Sequence, residues 1–182
     1  MRLIVLDRDG TLNENPEDFL RSPEDWTPIP GALEAVARLN QGGWRVVVAT
    51  NQSGLGRGLF DVATLNAVHA RMHKELAAAG ARVEAVFFCP HAPEDGCDCR
   101  KPAPGLFQQI ARRMKVVPAS IVAAGDSVRD AMAATAAGCE AHLIAAGPAA
   151  EVGADLPAGT RIHPDLGAFA DFILARDAAK TH

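Results

Sequence analysis

Short apolar runs alternate with amphipathic helical segments along almost the whole chain. The pattern predicts strands over residues 3–6, 45–49, 83–88, 121–124, 142–145 and 161–162. It predicts helices over 31–40, after the N-cap Asp61, and over 104–114, 128–137 and 166–175. Such alternation is typical of a mostly parallel sheet with right-handed crossovers and helices on both faces. The predicted fold class is therefore α/β, with a doubly wound, Rossmannoid sheet.

Length and charge narrow the classes of protein to which the chain can belong. Its 182 residues predict one domain over 1–182, and its formal net charge is −4. The acidic balance argues against a nucleic acid or an anionic membrane as partner. No apolar run approaches the roughly 20 residues that cross a bilayer. Because the N-terminus enters the first predicted strand without a signal peptide, we expect a cytoplasmic location.

Chemically active side chains follow several of the predicted strands. They are Asp7 and Asp9 after the first strand, Thr50 after the second, Arg100-Lys101 before the helix at 104, and Asp126 after the fourth strand. The carboxyl ends of parallel strands open on one edge of a sheet, so these groups can converge on one crevice. Paired carboxylates there indicate a bound metal, a covalent acyl intermediate, or both. For an isolated Asp-x-Asp, the alternative is a turn in which aspartates only cap backbone N–H groups.

Taken together, these groups resemble the four motifs of the haloacid dehalogenase superfamily of phosphotransferases. The motifs stand here as Asp7-Arg8-Asp9-Gly10-Thr11, Thr50, Lys101, and Gly125-Asp126 with Asp130 in support. Within that superfamily, the runs at 50–58 and 89–102 resemble the D-glycero-D-manno-heptose 1,7-bisphosphate phosphatases, which are close relatives of the histidinol-phosphate phosphatases. The resemblance covers most of the chain and implies a haloacid dehalogenase-like fold.

The segment from 13 to 30 is too short to form a large cap domain. We therefore expect an open site that this loop overhangs, with Glu17, Asp18 or their neighbours setting specificity. An enzyme of this size with an open site is expected to work as a monomer.

The resemblance implies a magnesium-dependent phosphatase that hydrolyses a phosphate monoester through an aspartyl-phosphate. Asp7 is the implied nucleophile, and Asp9 the general acid and base. Thr50 and Lys101 are implied to stabilise the transferring phosphoryl group. Mg²⁺ is expected on Asp7, Asp126 and the backbone carbonyl of Asp9. Cations are needed because a phosphate dianion at 4 Å from a carboxylate meets a repulsion of about 8 kcal/mol.

The residues that flank the phosphate site point to the substrate. Those predicted to bind it are Asn51, Gln52, Ser53, Arg57 and Arg100. Ser53 is neutral where histidinol-phosphate phosphatases tend to carry an acid for the substrate amine. Arg57 and Arg100 offer forked donors that suit a second phosphate and repel an amine. The resemblance therefore implies a small sugar bisphosphate, cleaved at the 7-phosphate of the heptose, with histidinol phosphate as the alternative.

A cluster of cysteines forms a second, separate site. Three thiolates and an imidazole come from Cys89, His91, Cys97 and Cys99. This is the ligand set of a closed, structural zinc site. The loop 89–99 is inserted after the third predicted strand and leads directly into Arg100 and Lys101, so zinc is predicted to fix the segment that delivers them. Free or redox-sensing thiols are the alternative.

Three other functions are alternatives to a sugar phosphatase, and one sequence feature argues against each. A phosphoaspartate receiver also places Asp, Thr and Lys around an acidic pocket, but its phosphorylated aspartate follows a later strand than its acidic pair. A DNA-end phosphatase of the same superfamily has a run similar to 50–58, yet it requires a basic groove. A zinc-stabilised binding module has no use for Asp7, Asp9 and Asp126 together.

Other side chains are predicted to be structural. His69 and His73 lie four residues apart on one predicted helix, without the glutamate that a zinc peptidase places between them. We therefore interpret them as residues at the margin of the core. Cys139 is predicted to be a small buried residue, and the Ala/Gly-rich stretch 145–159 a loop.

Overall fold

A parallel β-sheet forms the centre of the protein. In the computed structural model, which describes residues 1–145 and 155–180, six strands lie in the order β3-β2-β1-β4-β5-β6. They are β1 (Leu3–Leu6), β2 (Arg45–Asn51), β3 (Val86–Cys89), β4 (Ile121–Gly125), β5 (Glu140–Ile144) and β6 (Arg161–His163). The predicted α/β class with a doubly wound parallel sheet is confirmed. Residues 146–154 of the loop predicted at 145–159 lie outside the described residues.

Helices alternate with the strands along most of the chain. They are α1 (Ala32–Gln41), α2 (Ser53–Gly56), α3 (Val62–Ala78), α4 (Gly105–Met114), α5 (Val128–Ala136) and α6 (Leu166–Lys180). The predicted N-cap of α3 is confirmed, since the Asp61 carboxylate accepts a hydrogen bond of 2.8 Å from the backbone N–H of Thr64. None of the described helices is long and apolar enough to span a membrane.

Several boundaries differ from the sequence prediction; among them, β5 begins at Glu140 rather than at 142, and α6 continues to Lys180 rather than to 175. Strand β3 begins at Val86 rather than at residue 83, because only 86–89 pair in register with β2, although Glu84 and Ala85 each share one backbone hydrogen bond with it. Strand β2 continues to Asn51, so Thr50 lies on the strand itself. The short helix α2 follows at once and was not predicted, since a single turn of four residues leaves no periodic pattern to detect.

Both faces of the sheet are covered, which explains why its central strands are apolar throughout. Ile4 and Leu6 of β1 belong to a core shared with α1, α3 and α6. Leu3 and Val5 belong to a second core, shared with α4 and α5. Two layers of helices therefore hold β1 in the middle of the sheet, with no freedom to slide in register.

The register of the sheet decides where the site forms. Leu6, the last residue of β1, pairs with Val48 of β2 and with Ala124 of β4. The chain order reverses at β1 and β4, and ligands bind beyond the carboxyl ends of strands at such a switch point. Asp7 lies directly at this point, and its backbone N–H donates to the carbonyl of Ala124 at 3.0 Å.

Candidate active site

A polar cleft of about 320 Å³ opens at the carboxyl edge of β1, β2 and β4. Nine of the residues predicted for the site line it: Asp7, Asp9, Thr50, Asn51, Ser53, Arg100, Lys101, Asp126 and Asp130. The loop that was predicted to overhang the site also lines the cleft, through residues 15–19. The predicted convergence of the strand-end residues on one crevice is therefore confirmed.

Lys101 lies at the floor of the cleft, almost fully buried among acceptors. Its Nζ donates to Asp130 Oδ1 at 2.6 Å and to the backbone carbonyl of Ala49 at 2.8 Å, and it lies 3.0 Å from Asp7 Oδ1. Burial by itself lowers the pKa of Lys101, but the charges of Asp130 and Asp7 outweigh it, so the pKa is raised above its usual value. The lysine is a fixed ammonium group in contact with the predicted nucleophile.

The acidic side of the cleft carries more negative charge than Lys101 balances. Burial raises the pKa of Asp7 well above its usual value, and the neighbouring Asp130 adds to the effect. The same two causes raise the pKa of Asp126 to about 6. Because carboxylates that repel one another in a buried site favour a bound cation, this region has the electrostatics of a metal site.

The geometry fits magnesium as well as the charge does. Oxygen atoms of Asp7, Asp126 and Asp130 lie within 4.8 Å of one another, and carboxylate oxygens are the ligands that Mg²⁺ prefers. Asp130 is held by its own partners, since its Oδ2 accepts from the backbone N–H of Ser127 at 3.1 Å and from the Ser127 hydroxyl at 3.0 Å. Asp7 and Asp126 are the members of this group that are predicted from the sequence to hold the ion.

Gly10 allows the loop after β1 to pass next to Asp126. Its φ is +80°, and a Cβ built on it would lie 2.0 Å from Asp126 Oδ2. A side chain at this position would therefore be strained and would also displace the carboxylate. Glycine is required here for the approach of two acidic motifs that are far apart in the sequence.

The residues after β2 link the two sides of the site. Asn51 donates from Nδ2 to the Lys101 carbonyl and accepts from the Lys101 N–H, both at 3.1 Å. Gln52 Nε2 donates to Thr50 Oγ1 at 3.0 Å and to Asp9 Oδ2 at 3.2 Å. Asn51 therefore fixes the backbone of the lysine, while Gln52 joins the threonine to the second aspartate.

Two of the predicted binding residues do not line the cleft. Gln52 is buried at 1% exposure, beneath Thr50 and Asp9. The Arg57 side chain is 46% exposed, and its guanidinium lies 4.0 Å from Glu94. Their substrate-binding roles stay predictions.

Arg129 and Phe19 also line the cleft, although neither belongs to the motifs predicted for the site. Arg129 lies one residue before Asp130 on α5, so its spacing from the acidic motif was an available signal. Phe19 packs against Phe60, with 6.0 Å between the ring centroids. The pairing of distant loop residues leaves no signal in the sequence.

The predicted zinc ligands come together. Cys89 Sγ lies 3.6 Å from Cys97 Sγ and 3.1 Å from Cys99 Sγ, and His91 Nδ1 lies 3.2 Å from Cys99 Sγ. None of these cysteines forms a disulfide. A tetrahedral site with Zn–S bonds of about 2.3 Å places sulfur atoms about 3.8 Å apart. The Cys89–Cys97 distance of 3.6 Å is close to this value and the Cys89–Cys99 distance of 3.1 Å is shorter, while the set of three thiolates and one imidazole fits zinc.

The loop that carries this cluster is packed closely on its neighbours. A Cβ on Gly56 would lie 2.6 Å from the carbonyl oxygen of Pro90, and one on Gly105 would lie 2.3 Å from that of Asp98. Backbone contact with α2 and α4 therefore holds both ends of the loop. Arg100 and Lys101 follow the loop directly, so these contacts also fix where their backbone lies.

Comparison with known proteins agrees with this geometry. The model of the haloacid dehalogenase-like hydrolases matches residues 13–138, which is more than half of the chain. The chain belongs to the haloacid dehalogenase-like hydrolases. Among its relatives, the D-glycero-beta-D-manno-heptose-1,7-bisphosphate 7-phosphatase of Bordetella bronchiseptica is 53% identical over 96% of this chain and 98% of its own length. The enzyme of the same name from Pseudomonas aeruginosa is 46% identical over 94% of this chain and 97% of its own length.

A solved structure of such a relative has the same haloacid dehalogenase-like fold as this chain. It is the D,D-heptose 1,7-bisphosphate phosphatase of B. bronchiseptica, complexed with magnesium and phosphate. It matches with a TM-score of 0.92 at 52% identity, over 97% of this chain and 99% of that chain. The predicted resemblance to the heptose bisphosphate phosphatases is confirmed, and magnesium is supported as the metal of this family member.

The close approach at Gly10 yields a testable prediction. Gly10→Ala is expected to lower kcat at least about a hundredfold, because displacing a catalytic group by an ångström costs that much. The matched control is Gly31→Ala. Gly31 has a φ of +82°, but a Cβ on it meets nothing within 4 Å. The control therefore shares the backbone strain of about 1–3 kcal/mol without the collision. Steady-state kinetics and thermal unfolding compare the two, and equal losses of kcat would contradict the role given to Gly10.

The sulfur cluster yields a second prediction. Elemental analysis is expected to find about one zinc per chain, and Cys97→Ser is expected to lower both the zinc content and Tm, because structural zinc contributes folding free energy. Cys139→Ser is the control, since Cys139 is a free, buried cysteine outside the cluster, so its loss should leave the zinc content unchanged. Metal-free wild-type protein with undiminished Tm would show that zinc has no structural role.

Proposed function

We propose that this protein is a magnesium-dependent phosphatase that removes the 7-phosphate from D-glycero-beta-D-manno-heptose 1,7-bisphosphate through an aspartyl-phosphate. The observation that carries the chemistry is the position of Asp7. Its carboxylate lies at the floor of the cleft, 3.0 Å from the buried ammonium of Lys101 and beside Asp126. The close relatives named above support the substrate. One sheet joins the described residues from β1 to β6, so we propose a single domain over 1–182.

Asp7 is the proposed nucleophile. Its Oδ1 accepts from the backbone N–H of Arg8 at 2.8 Å and lies 3.0 Å from Lys101 Nζ, which fixes the direction of the carboxylate. Attack forms a bond from an Asp7 oxygen to phosphorus and breaks the bond to the sugar oxygen. Lys101 offsets the charge repulsion that otherwise opposes this attack.

Asp9 lines the same cleft, two residues further along. In the proposed reaction it donates a proton to the departing sugar oxygen. In the second half it takes a proton from the water that attacks the aspartyl-phosphate, which releases inorganic phosphate and restores Asp7. Thr50 is buried, and its hydroxyl accepts a hydrogen bond from Gln52 Nε2, which also donates to Asp9. This hydroxyl is proposed to hold an oxygen of the transferring phosphoryl group.

Magnesium fits the carboxylate group described above, with Asp7, Asp126 and the Asp9 backbone carbonyl as proposed ligands and Asp130 as support. When bound, Mg²⁺ supplies positive charge that neutralises the phosphoryl oxygens and aligns them for displacement. Zinc on Cys89, His91, Cys97 and Cys99 is proposed to be structural, because four protein ligands leave no open coordination position.

The position of Arg100 favours a substrate with two phosphates over one with a single phosphate. It lines the cleft, and its Nη1 is buried without a hydrogen-bond partner among the described residues. A buried donor without a partner is costly, so the guanidinium is suited to a ligand that accepts from it. Arg129 lies on the rim of the same cleft, so two cations are available for the phosphate that is not cleaved.

Histidinol phosphate and a DNA end, the two alternative substrates, fit this cleft less well. Histidinol phosphate carries an amine that Arg100 and Arg129 repel. Because Ser53 is neutral, only the loop carboxylates Glu17 and Asp18 are left, outside the acidic motifs that line the cleft, to attract this amine. A DNA-end phosphatase needs a basic groove, but the cleft is lined by Asp126, Asp130 and the acidic loop residues Glu17 and Asp18.

The role of Asp7 can be tested directly. Asp7→Asn is expected to keep the fold and to lower phosphatase activity by several orders of magnitude, because an amide cannot form the aspartyl-phosphate. Wild-type protein trapped with beryllium fluoride and Mg²⁺ is expected to carry the adduct on Asp7, as located by crystallography or mass spectrometry. An adduct on Asp9 or Asp126 would overturn the assignment.

The proposed substrate is tested by phosphate release from a panel of heptose bisphosphate, histidinol phosphate and nicked DNA. We expect kcat/KM for the bisphosphate to exceed that for histidinol phosphate at least a hundredfold, which corresponds to about 2.7 kcal/mol. Arg100→Ala should narrow this gap by weakening the bisphosphate, whereas Arg113→Ala, an exposed control on α4, should not. Equal or better turnover of histidinol phosphate would refute the proposed substrate.

A further inference from the structure

The residue between the two cleft aspartates is an arginine that points into the protein. Arg8 is 1% exposed, although Asp7 and Asp9 on either side of it line the cleft. Arginine is almost never fully buried unless its charge is paired. A buried guanidinium inside the first acidic motif therefore needs an explanation in the contacts that it makes.

Arg8 joins Asp9 to helix α3. Its Nε donates to Asp9 Oδ1 at 2.9 Å and its Nη2 to Asp9 Oδ2 at 3.1 Å, which is the forked pairing of arginine with a carboxylate. On its other side, Nη1 lies 3.1 Å from Nε2 of His69, a buried residue of α3. A guanidinium only donates hydrogen bonds, so Nε2 must carry the lone pair and Nδ1 the proton.

The ring of His69 is suited to this acceptor role. Burial lowers the pKa of His69 to about 4, and the charge of Arg8 acts in the same direction. The imidazole is therefore neutral near pH 7. His73, one turn further along α3, is exposed, so the two histidines of this helix have different surroundings.

Two further side chains complete the enclosure of the Asp9 carboxylate. Asn13 Nδ2 donates to Oδ1 at 2.9 Å, and Gln52 Nε2 donates to Oδ2 at 3.2 Å. Both residues are buried, at 0% and 1% exposure. Each oxygen of Asp9 thus has an arginine contact and an amide contact, which together fix the orientation of the carboxylate at the wall of the cleft.

We propose that His69 and Arg8 are positioning residues for Asp9, with α3 aiming the carboxylate through the His69–Arg8–Asp9 chain of hydrogen bonds. This inference rests on the proposed function, in which Asp9 transfers protons. Proton transfer requires hydrogen-bond reach and alignment, so a carboxylate that turns loses it. Without the acceptor on His69, a buried N–H of Arg8 has no partner, and the guanidinium is free to turn away from Asp9.

The test compares two substrates whose leaving groups differ. A sugar phosphate needs a proton on its leaving oxygen, whereas an activated aryl phosphate does not. His69→Leu removes the acceptor and is expected to lower kcat on the sugar phosphate at least about tenfold, while kcat on the aryl phosphate changes less than about threefold. His69→Gln places an amide oxygen near the position of Nε2 and should restore most of the loss. His73→Leu, the matched control on the exposed face of the same helix, should change neither rate.

Several outcomes would overturn the positioning role. Equal losses on both substrates for His69→Leu indicate a general structural effect, and unchanged rates indicate no effect. A His69→Gln variant as impaired as His69→Leu would show that the acceptor is not what matters. Should His69→Leu fail to fold, ¹⁵N NMR of the wild-type protein near pH 7 decides: a ring with its proton on Nδ1 supports the proposal, and one with a proton on Nε2 overturns it.

Asp9→Asn separates this inference from the function on which it rests. If Asp9→Asn impairs the sugar phosphate far more than the aryl phosphate while His69→Leu does not, the positioning role alone is overturned. If Asp9→Asn impairs both substrates equally, the proton-transfer role of Asp9 is wrong, and the inference falls with it.

Discussion

The ammonium of Lys101, buried between Asp7 and Asp130, holds the site together. It contacts the end of β1, the Ala49 carbonyl of β2 and the start of α5. Burial by itself lowers the pKa of Lys101, and the charges of Asp130 and Asp7 raise it again, so the two carboxylates keep the lysine charged. In return, the positive charge of Lys101 offsets the repulsion between Asp7 and Asp130. Three elements distant in sequence are thereby required to meet at one point.

Because these three elements must meet at Lys101, the segment before it is fixed by several contacts. The sulfur cluster ends at Cys99, the Asn51 amide pairs with the Lys101 backbone, and close backbone contacts at Gly56 and Gly105 hold the two ends of the loop. A lysine side chain is long and flexible, so its charge is precise only if its backbone is fixed. The loop, the strand end and the helix therefore act as one support for a single nitrogen atom.

The two cleft aspartates are held in different ways, and the difference matches their proposed tasks. Asp7 is surrounded by charge, with Lys101 beside it and other carboxylates raising its pKa. Asp9 is enclosed by hydrogen-bond donors, from Arg8 on one side and from Asn13 and Gln52 on the other. A nucleophile needs its charge offset, whereas a group that transfers protons needs a fixed direction.

Sequence patterns alone predicted the α/β class, the convergence of Asp7, Thr50, Lys101 and Asp126 on one cleft, and a cluster formed by Cys89, His91, Cys97 and Cys99. These follow from local patterns, because parallel strands share one carboxyl edge and short spacings fold ligands together. The strand order, the later start of β3, and the contact of Arg8 with His69, 61 residues away, become visible only in the packed structure. Local periodicity sets which face a side chain lies on. The packing of helices against the sheet sets which distant side chain it meets there.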